Sequence, residues 1–142
     1  MANQELIVNS GSRNLWKELT SSIETCNRFY ISVAFINYSG LQLILDSLKI
    51  AANKGVTGQV ITSTYLNFTE PKAVEKLTTF PGVDVRVFLT EQQNTGFHTK
   101  AYIFEYGDHF KVIIGSSNVT QSALKSNVEW NVQIISKQDD AI

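Results

Sequence analysis

Cysteine is nearly absent. Cys26 is the single example in 142 residues, which excludes an intramolecular disulfide and a cysteine-rich zinc site and fits a reducing cytosol, with buried filler as its expected role. Charge of one sign is also in short supply, since 12 Lys and Arg stand against 13 Asp and Glu for a net of -1. The molecule as a whole therefore offers no general attraction to nucleic acid or to an acidic membrane, and any phosphate binding must be local. Long hydrophobic runs are missing too, none approaching the ~18 residues of a membrane span. The opening Met-Ala-Asn-Gln-Glu has no basic segment followed by an apolar one, so a soluble, cytoplasmic protein with no membrane partner is expected. No low-complexity stretch interrupts the chain, and residues 1–142 read as one domain.

What is present is enough apolar residue for a core, 43% of the chain, patterned as strands and helices. Leu6 to Val8 reads as a strand, and Ser12 caps a stretch in which Leu15, Trp16, Leu19 and Ile23 recur at helical spacing. Phe29 to Phe35 is rich in β-branched and aromatic residues, as a strand should be, whereas Ser39 to Lys54 carries Leu41, Ile44, Leu45, Leu48 and Ala52 on one helical face before a capping Gly55. A strand from Gln59 to Thr62 follows, then a helix opened by Thr69, Glu70 and Pro71, running through Leu77 and stopped by Pro81-Gly82. Beyond Asp84, strands are expected at Val85 to Leu89, His98 to Tyr106, Phe110 to Gly115 and Trp130 to Ile135, with Val119 to Lys125 helical and a hairpin at Gly107-Asp108. The alternation predicts an α/β domain with a mixed, mostly parallel β-sheet flanked by helices on both faces, the hairpin adding an antiparallel portion.

Chemistry concentrates in the last third of the chain. His98 and Lys100 are one residue apart in an apolar strand-like segment, so period-2 alternation places them on one face. The next strand delivers Gly115-Ser116-Ser117-Asn118 just where a helix is expected to begin, a strand-to-helix turn of the kind that presents backbone N–H groups to anions. Glu129 opens the last strand, and a carboxylate beside His98 would fix the imidazole tautomer and raise its basicity.

Together these residues resemble the signature of the phospholipase D superfamily: His-x-Lys, then Gly-Ser-x-Asn, then a later Glu. The resemblance implies a phospholipase D-like fold with one half-site per chain. His98 would attack phosphorus to form a phosphohistidine, and a second histidine would protonate the leaving oxygen, with no metal or other cofactor. Lys100, Ser116, Ser117 and Asn118 would bind substrate oxygens, and Glu129 would hold His98. The other histidine, His109, sits at the hairpin outside this signature, so the resemblance implies that a homodimer supplies the second half-site through the edge carrying His98. Where the superfamily often has Asp five residues after the lysine, this chain has Glu105. Ile61 to Tyr65, Thr69 to Pro71 and Glu129 to Asn131 further resemble the phospholipase D-like nuclease domain at the N-terminus of certain DEAD/DEAH-box helicases with restriction-enzyme affinities. On that basis the chain is expected to be the N-terminal part of a longer protein, with helicase or ATPase domains after it and DNA as substrate.

Each element has a plainer reading. An isolated His-x-Lys is an ordinary polar face of an edge strand, and Gly-Ser-Ser-Asn is a common helix cap; only the combination is specific. Tyr65, Phe68 and Trp130 are candidates to line a groove and stack on bases, but aromatics in a domain of this size more often pack in the core, which is the expectation here, with Tyr65 the best candidate for an exposed, substrate-contacting position. Lys111 and Lys125 flank the motif and are candidates to contact a phosphate backbone, but scattered lysines usually only solvate a face, and they read as surface charges. A catalytically degenerate nucleic-acid-binding or dimerisation module and a lipid phosphodiesterase are the rival functions, the latter without an amphipathic membrane helix or basic run to support it.

Overall fold

A computed structural model of the chain describes residues 3–10 and 13–137. Strands β1 (Gln4–Ile7), β2 (Arg28–Val33), β3 (Thr57–Ser63), β4 (Val83–Phe88), β5 (Lys100–Glu105), β6 (His109–Gly115) and β7 (Asn131–Lys137) form one sheet in the spatial order β1-β7-β6-β5-β2-β3-β4. The helices are α1 (Leu15–Thr25), α2 (Tyr38–Gln42), α3 (Leu45–Asn53), α4 (Pro71–Thr78), α5 (Thr90–Gln93) and α6 (Gln121–Lys125).

The sheet is mixed, as the pattern implied, but its parallel part is the minority. Only β2–β3 and β3–β4 run parallel; β2–β5, β5–β6, β6–β7 and β1–β7 are antiparallel. The reason lies in the connections. Helical crossovers after β2 and β3 return the chain to the same end of the sheet, whereas the hairpin at Gly107-Asp108 reverses it. Two successive right-handed crossovers stepping in one direction also place their helices on the same side. Helices α1, α2, α3, α4 and α6 accordingly touch one another and share one core with Phe29, Ile31, Val33, Val60, Phe104 and Ile113. Among the described residues these helices cover one face, not both. The other face of the middle strands carries Tyr30, Ser32, Gln59, Ile61, Ala101 and Ile103 along an open groove.

Local chemistry accounts for the element ends. Ser12 lies outside the described residues, and the cap of α1 is Asn14, whose side chain accepts from the Lys17 N–H at 2.9 Å. Pro71 sits in the first turn of α4, where its missing N–H costs nothing. Gly55 closes α3 at φ +78°, a left-handed position that suits a residue without Cβ. The expected helix from Ser39 to Lys54 is broken between α2 and α3. Leu43 turns its carbonyl outward to accept the Trp16 indole N–H at 2.8 Å, and Ile44 N–H bonds Leu41 O one residue short of α spacing. The last helix likewise starts later than expected, at Gln121, because Thr120 takes the cap by accepting from Ala123 N–H.

Gly40 marks the closest approach of α2 to the segment after β6. A Cβ there would lie 2.5 Å from the Val119 carbonyl oxygen, which also accepts the Asn37 N–H at 2.9 Å. Gly40→Ala should therefore destabilise the fold by about 1–3 kcal/mol, seen as a lower denaturant midpoint with an unchanged slope. An unchanged midpoint would show that α2 and this segment separate freely.

Candidate active site

Four strand ends meet at one end of the sheet. Val33 of β2 pairs with Lys100 at the start of β5, Ala101 pairs with Ile114 near the end of β6, and Gly115 pairs with Asn131 at the start of β7. Residues just before β5, just after β6 and just before β7 are thereby brought together: His98, Ser116 to Asn118, and Glu129. Tyr65 joins them from the turn after β3. His98 is not inside a strand as the spacing implied; β5 begins at Lys100, and His98 belongs to the preceding loop. The loop is pinned on both sides, by Phe97 against Phe88 at 5.4 Å between ring centroids and by the Thr99 and Ser32 hydroxyls 2.6 Å apart.

The segment after β6 is built on a close approach. A Cβ on Gly115 would collide with the Trp130 carbonyl and with Asn131, so only glycine lets β6 and β7 come together there. Ser116 N–H then donates to Trp130 O at 3.1 Å, and Trp130 N–H donates back to Ser116 Oγ at 3.1 Å. Ser116 Oγ in turn donates to the Glu129 carboxylate. Ser117 points inward and is fully buried, its Oγ accepting from Asn131 Nδ2 at 3.0 Å and its carbonyl accepting from the Tyr102 hydroxyl at 2.9 Å. Asn118 is buried, with Oδ1 accepting the Phe35 N–H at 3.1 Å. With the amide oxygen committed, Nδ2 is the end of that side chain left to donate.

His98 is exposed, its ring edge-on to Tyr65 at 4.4 Å and 71°. A Cβ on Gly96 would come 3.3 Å from His98 Nε2, so this glycine keeps the approach to the imidazole clear. Lys100 Nζ donates to the His98 carbonyl at 2.9 Å, which brings its charge back toward His98. The hydrogen-bond partner of the Glu129 carboxylate is Ser116 rather than the imidazole. Tyr65 is half-exposed. Trp130 and Phe68, expected to pack, are 68% and 53% exposed.

Sequence reasoning missed Tyr102 and placed Asn131 only within a resemblance; the two hold the Ser117 backbone and side chain beneath the exposed residues. The signal for Tyr102 was its two-residue spacing from Lys100 on the core face of β5; its partner on the next segment was not readable. Burial pushes the Tyr102 phenol far above its ordinary range, and the negative charge of Glu129 adds in the same direction. Among the described residues no group of three His, Cys, Asp or Glu side chains gathers to hold a metal ion, and no helix is long and apolar enough to cross a membrane.

Chemically, the arrangement offers one imidazole, one ammonium and a turn of hydroxyl and amide donors at a single sheet end. Residues 15–141 match the family model described as cardiolipin synthase, PLD-like domain. No curated protein matches the chain. Among solved structures, NucT from Helicobacter pylori is similar with a TM-score of 0.67 at 19% identity, over 92% of this chain and 83% of that one. The phospholipase D family member Nuc from Salmonella typhimurium is similar at 0.68 and 18% identity, over 94% and 83%. The yeast tyrosyl-DNA phosphodiesterase is similar at 0.66 and 14% identity, over 98% of this chain and 34% of that one.

The Tyr102 phenol yields a pH test. Its folded pKa is raised, so the folded state keeps a proton that the unfolded chain loses above about pH 10. The stability is complete below that pH and falls as pH rises through it. Tyr102→Phe should cost about 1–2 kcal/mol at neutral pH by leaving Ser117 O without its donor, and should flatten the alkaline loss of stability. Equal alkaline slopes for both proteins in denaturant titrations would refute this account.

Proposed function

The chain belongs to the cardiolipin synthase, PLD-like domain family, and from that premise we propose that it is a metal-independent phosphodiesterase, a nuclease acting on DNA through a phosphohistidine. The observation that carries this reading is the convergence of His98, Lys100, Ser116, Asn118 and Glu129 at one end of the sheet, from three separate strand termini. The fold likeness to a tyrosyl-DNA phosphodiesterase supports phosphodiester chemistry.

In the proposed reaction, an imidazole nitrogen of His98 attacks phosphorus and the bond to the leaving oxygen breaks. The leaving oxygen takes a proton from a second imidazole. Water then attacks the phosphohistidine, giving its proton to that second imidazole and releasing His98. Lys100 and the Asn118 amide face the non-bridging oxygens, where charge grows in the transition state, and the Ser116 hydroxyl adds a donor once it leaves Glu129. Glu129 lies within reach of the same turn and takes the orienting role when Ser116 is engaged by substrate.

The second imidazole comes from a second copy of the chain, so the active species is a homodimer with its site shared between two sheet ends. Endonucleolytic cleavage on behalf of helicase or restriction domains, attached C-terminally in a longer protein, follows from the sequence resemblance of residues 61–65, 69–71 and 129–131. A non-catalytic DNA-binding or dimerisation module is the second reading. It is favoured by the Glu129 carboxylate bonding Ser116 instead of His98, and by the Lys100 ammonium resting on a backbone carbonyl.

Labelled single- and double-stranded DNA incubated in EDTA separates the two. The wild-type protein should cleave with no loss on chelation, and His98→Ala should lower the rate at least ~10³-fold while retaining the dimer in solution. DNA bound but uncut by both proteins would instead establish the binding module, and activity lost in EDTA would sink the metal-independent mechanism.

A further inference from the structure

We propose that the site takes its nucleic acid as a single strand, stacking bases on Trp130 on one side of the phosphate position and on Tyr65 on the other. The inference rests on the phosphodiesterase reading and adds to it the form of the substrate and the residues that select it.

Trp130 is the more telling of the two. Its indole is 68% exposed, yet its backbone is tied at both ends to Ser116, through Ser116 N–H to Trp130 O at 3.1 Å and Trp130 N–H to Ser116 Oγ at 3.1 Å. A large aromatic ring is thus displayed to solvent from a backbone locked to a phosphate-binding residue. A purely structural tryptophan would bury its ring, as Trp16 partly does with its N–H on Leu43 O.

Tyr65 occupies the corresponding place beside the nucleophile, its ring against His98 and its N–H held by Ser63 Oγ at 3.2 Å. The turn that follows is strained: Leu66 and Asn67 both adopt left-handed backbone, at φ 53° and 56°. Consecutive non-glycine residues in that region persist only where the surroundings impose them, and they gather at ligand sites. This turn also presents Leu66 at 60% and Phe68 at 53% exposure next to the site. Tyr65 and Leu66 line a cleft with Thr90, Glu91 and Gly96, so space for a planar group adjoins the imidazole.

Charge argues for one strand rather than two. Gripping a duplex requires neutralising phosphates along both backbones, but the net charge is -1. Arg13, Lys49, Arg86 and Lys111 each pair with a carboxylate of the same chain. With so little net attraction to phosphate, base faces contribute to affinity, and a duplex hides them in its stack whereas a single strand exposes them.

The test uses His98→Ala, which prevents turnover, with Trp16→Phe so that Trp130 is the remaining indole of the two. Titration with a 16-nucleotide oligothymidylate in EDTA should quench Trp130 emission saturably. A duplex of the same length should bind at least ~10-fold more weakly, and inorganic triphosphate should leave the emission unchanged. In parallel, anisotropy of the labelled oligonucleotide with Trp16 intact should show Trp130→Ala and Tyr65→Ala each weakening binding about tenfold or more, with circular dichroism confirming that both fold. Equal affinity for duplex, or anisotropy indifferent to both substitutions, overturns the stacking proposal while His98-dependent cleavage would leave the phosphodiesterase reading intact. Blue-shifted Trp130 emission that moves red on dilution would also overturn it, by showing the ring covered by a second copy of the chain.

Discussion

Everything at the candidate site depends on how closely β6 and β7 approach at Gly115. Absence of a side chain there lets Ser116 and Trp130 exchange two hydrogen bonds and lets Asn131 reach Ser117. Tyr102 closes the arrangement from β5 by bonding the Ser117 carbonyl. The result is a stiff floor of buried polar contacts with Ser116, Glu129 and Trp130 standing on it at the surface. Buried polar groups of this kind are costly unless satisfied, and once satisfied they specify one arrangement. Two acceptors in β7, Asn131 Oδ1 and Gln133 Oε1, are buried without a protein partner, so the network is not fully closed along that strand.

The one-sided architecture follows from topology and has a chemical consequence. Both parallel crossovers fall on the same face, which gathers the helices and the core there and leaves the strand ends to carry function. Loops after β2, β3 and β6 and before β5 and β7 all emerge at the same end of the sheet because the strands alternate direction in the antiparallel part. A candidate site drawn from distant positions in the chain is thereby assembled without any loop having to be long.

Electrostatically the domain is nearly neutral, with a net charge of -1, and Arg13, Lys49, Arg86 and Lys111 are matched by carboxylates of the same chain. Under the proposed reading, what attracts a phosphate is local: the Lys100 ammonium, the Asn118 amide and the Ser116 hydroxyl. In the resting arrangement these groups satisfy one another, Lys100 on the His98 carbonyl and Ser116 on Glu129. On the proposed reading, a phosphate entering the site would exchange those internal bonds for bonds to itself, which would limit the net gain and leave base faces to contribute to affinity.

Much of this was legible in the order of residues, because periodicity and local chemistry act over a few positions. Strand and helix existence, the proline start of α4, the glycine end of α3 and the hairpin at Gly107-Asp108 all depend on near neighbours, while the candidate set His98, Lys100, Ser116, Asn118 and Glu129 was named from its resemblance to a family signature. What the sequence could not determine were properties of pairing across the fold. The antiparallel majority of the sheet, the open second face and the break before α3 come from which strand lies beside which and from the Trp16 indole reaching Leu43, contacts between residues far apart in the chain. The same holds for Tyr102, Asn131 and the exposed Trp130: their roles exist only once β5, β6 and β7 are brought together, since a buried hydroxyl or a displayed ring is defined by what surrounds it and not by what precedes it.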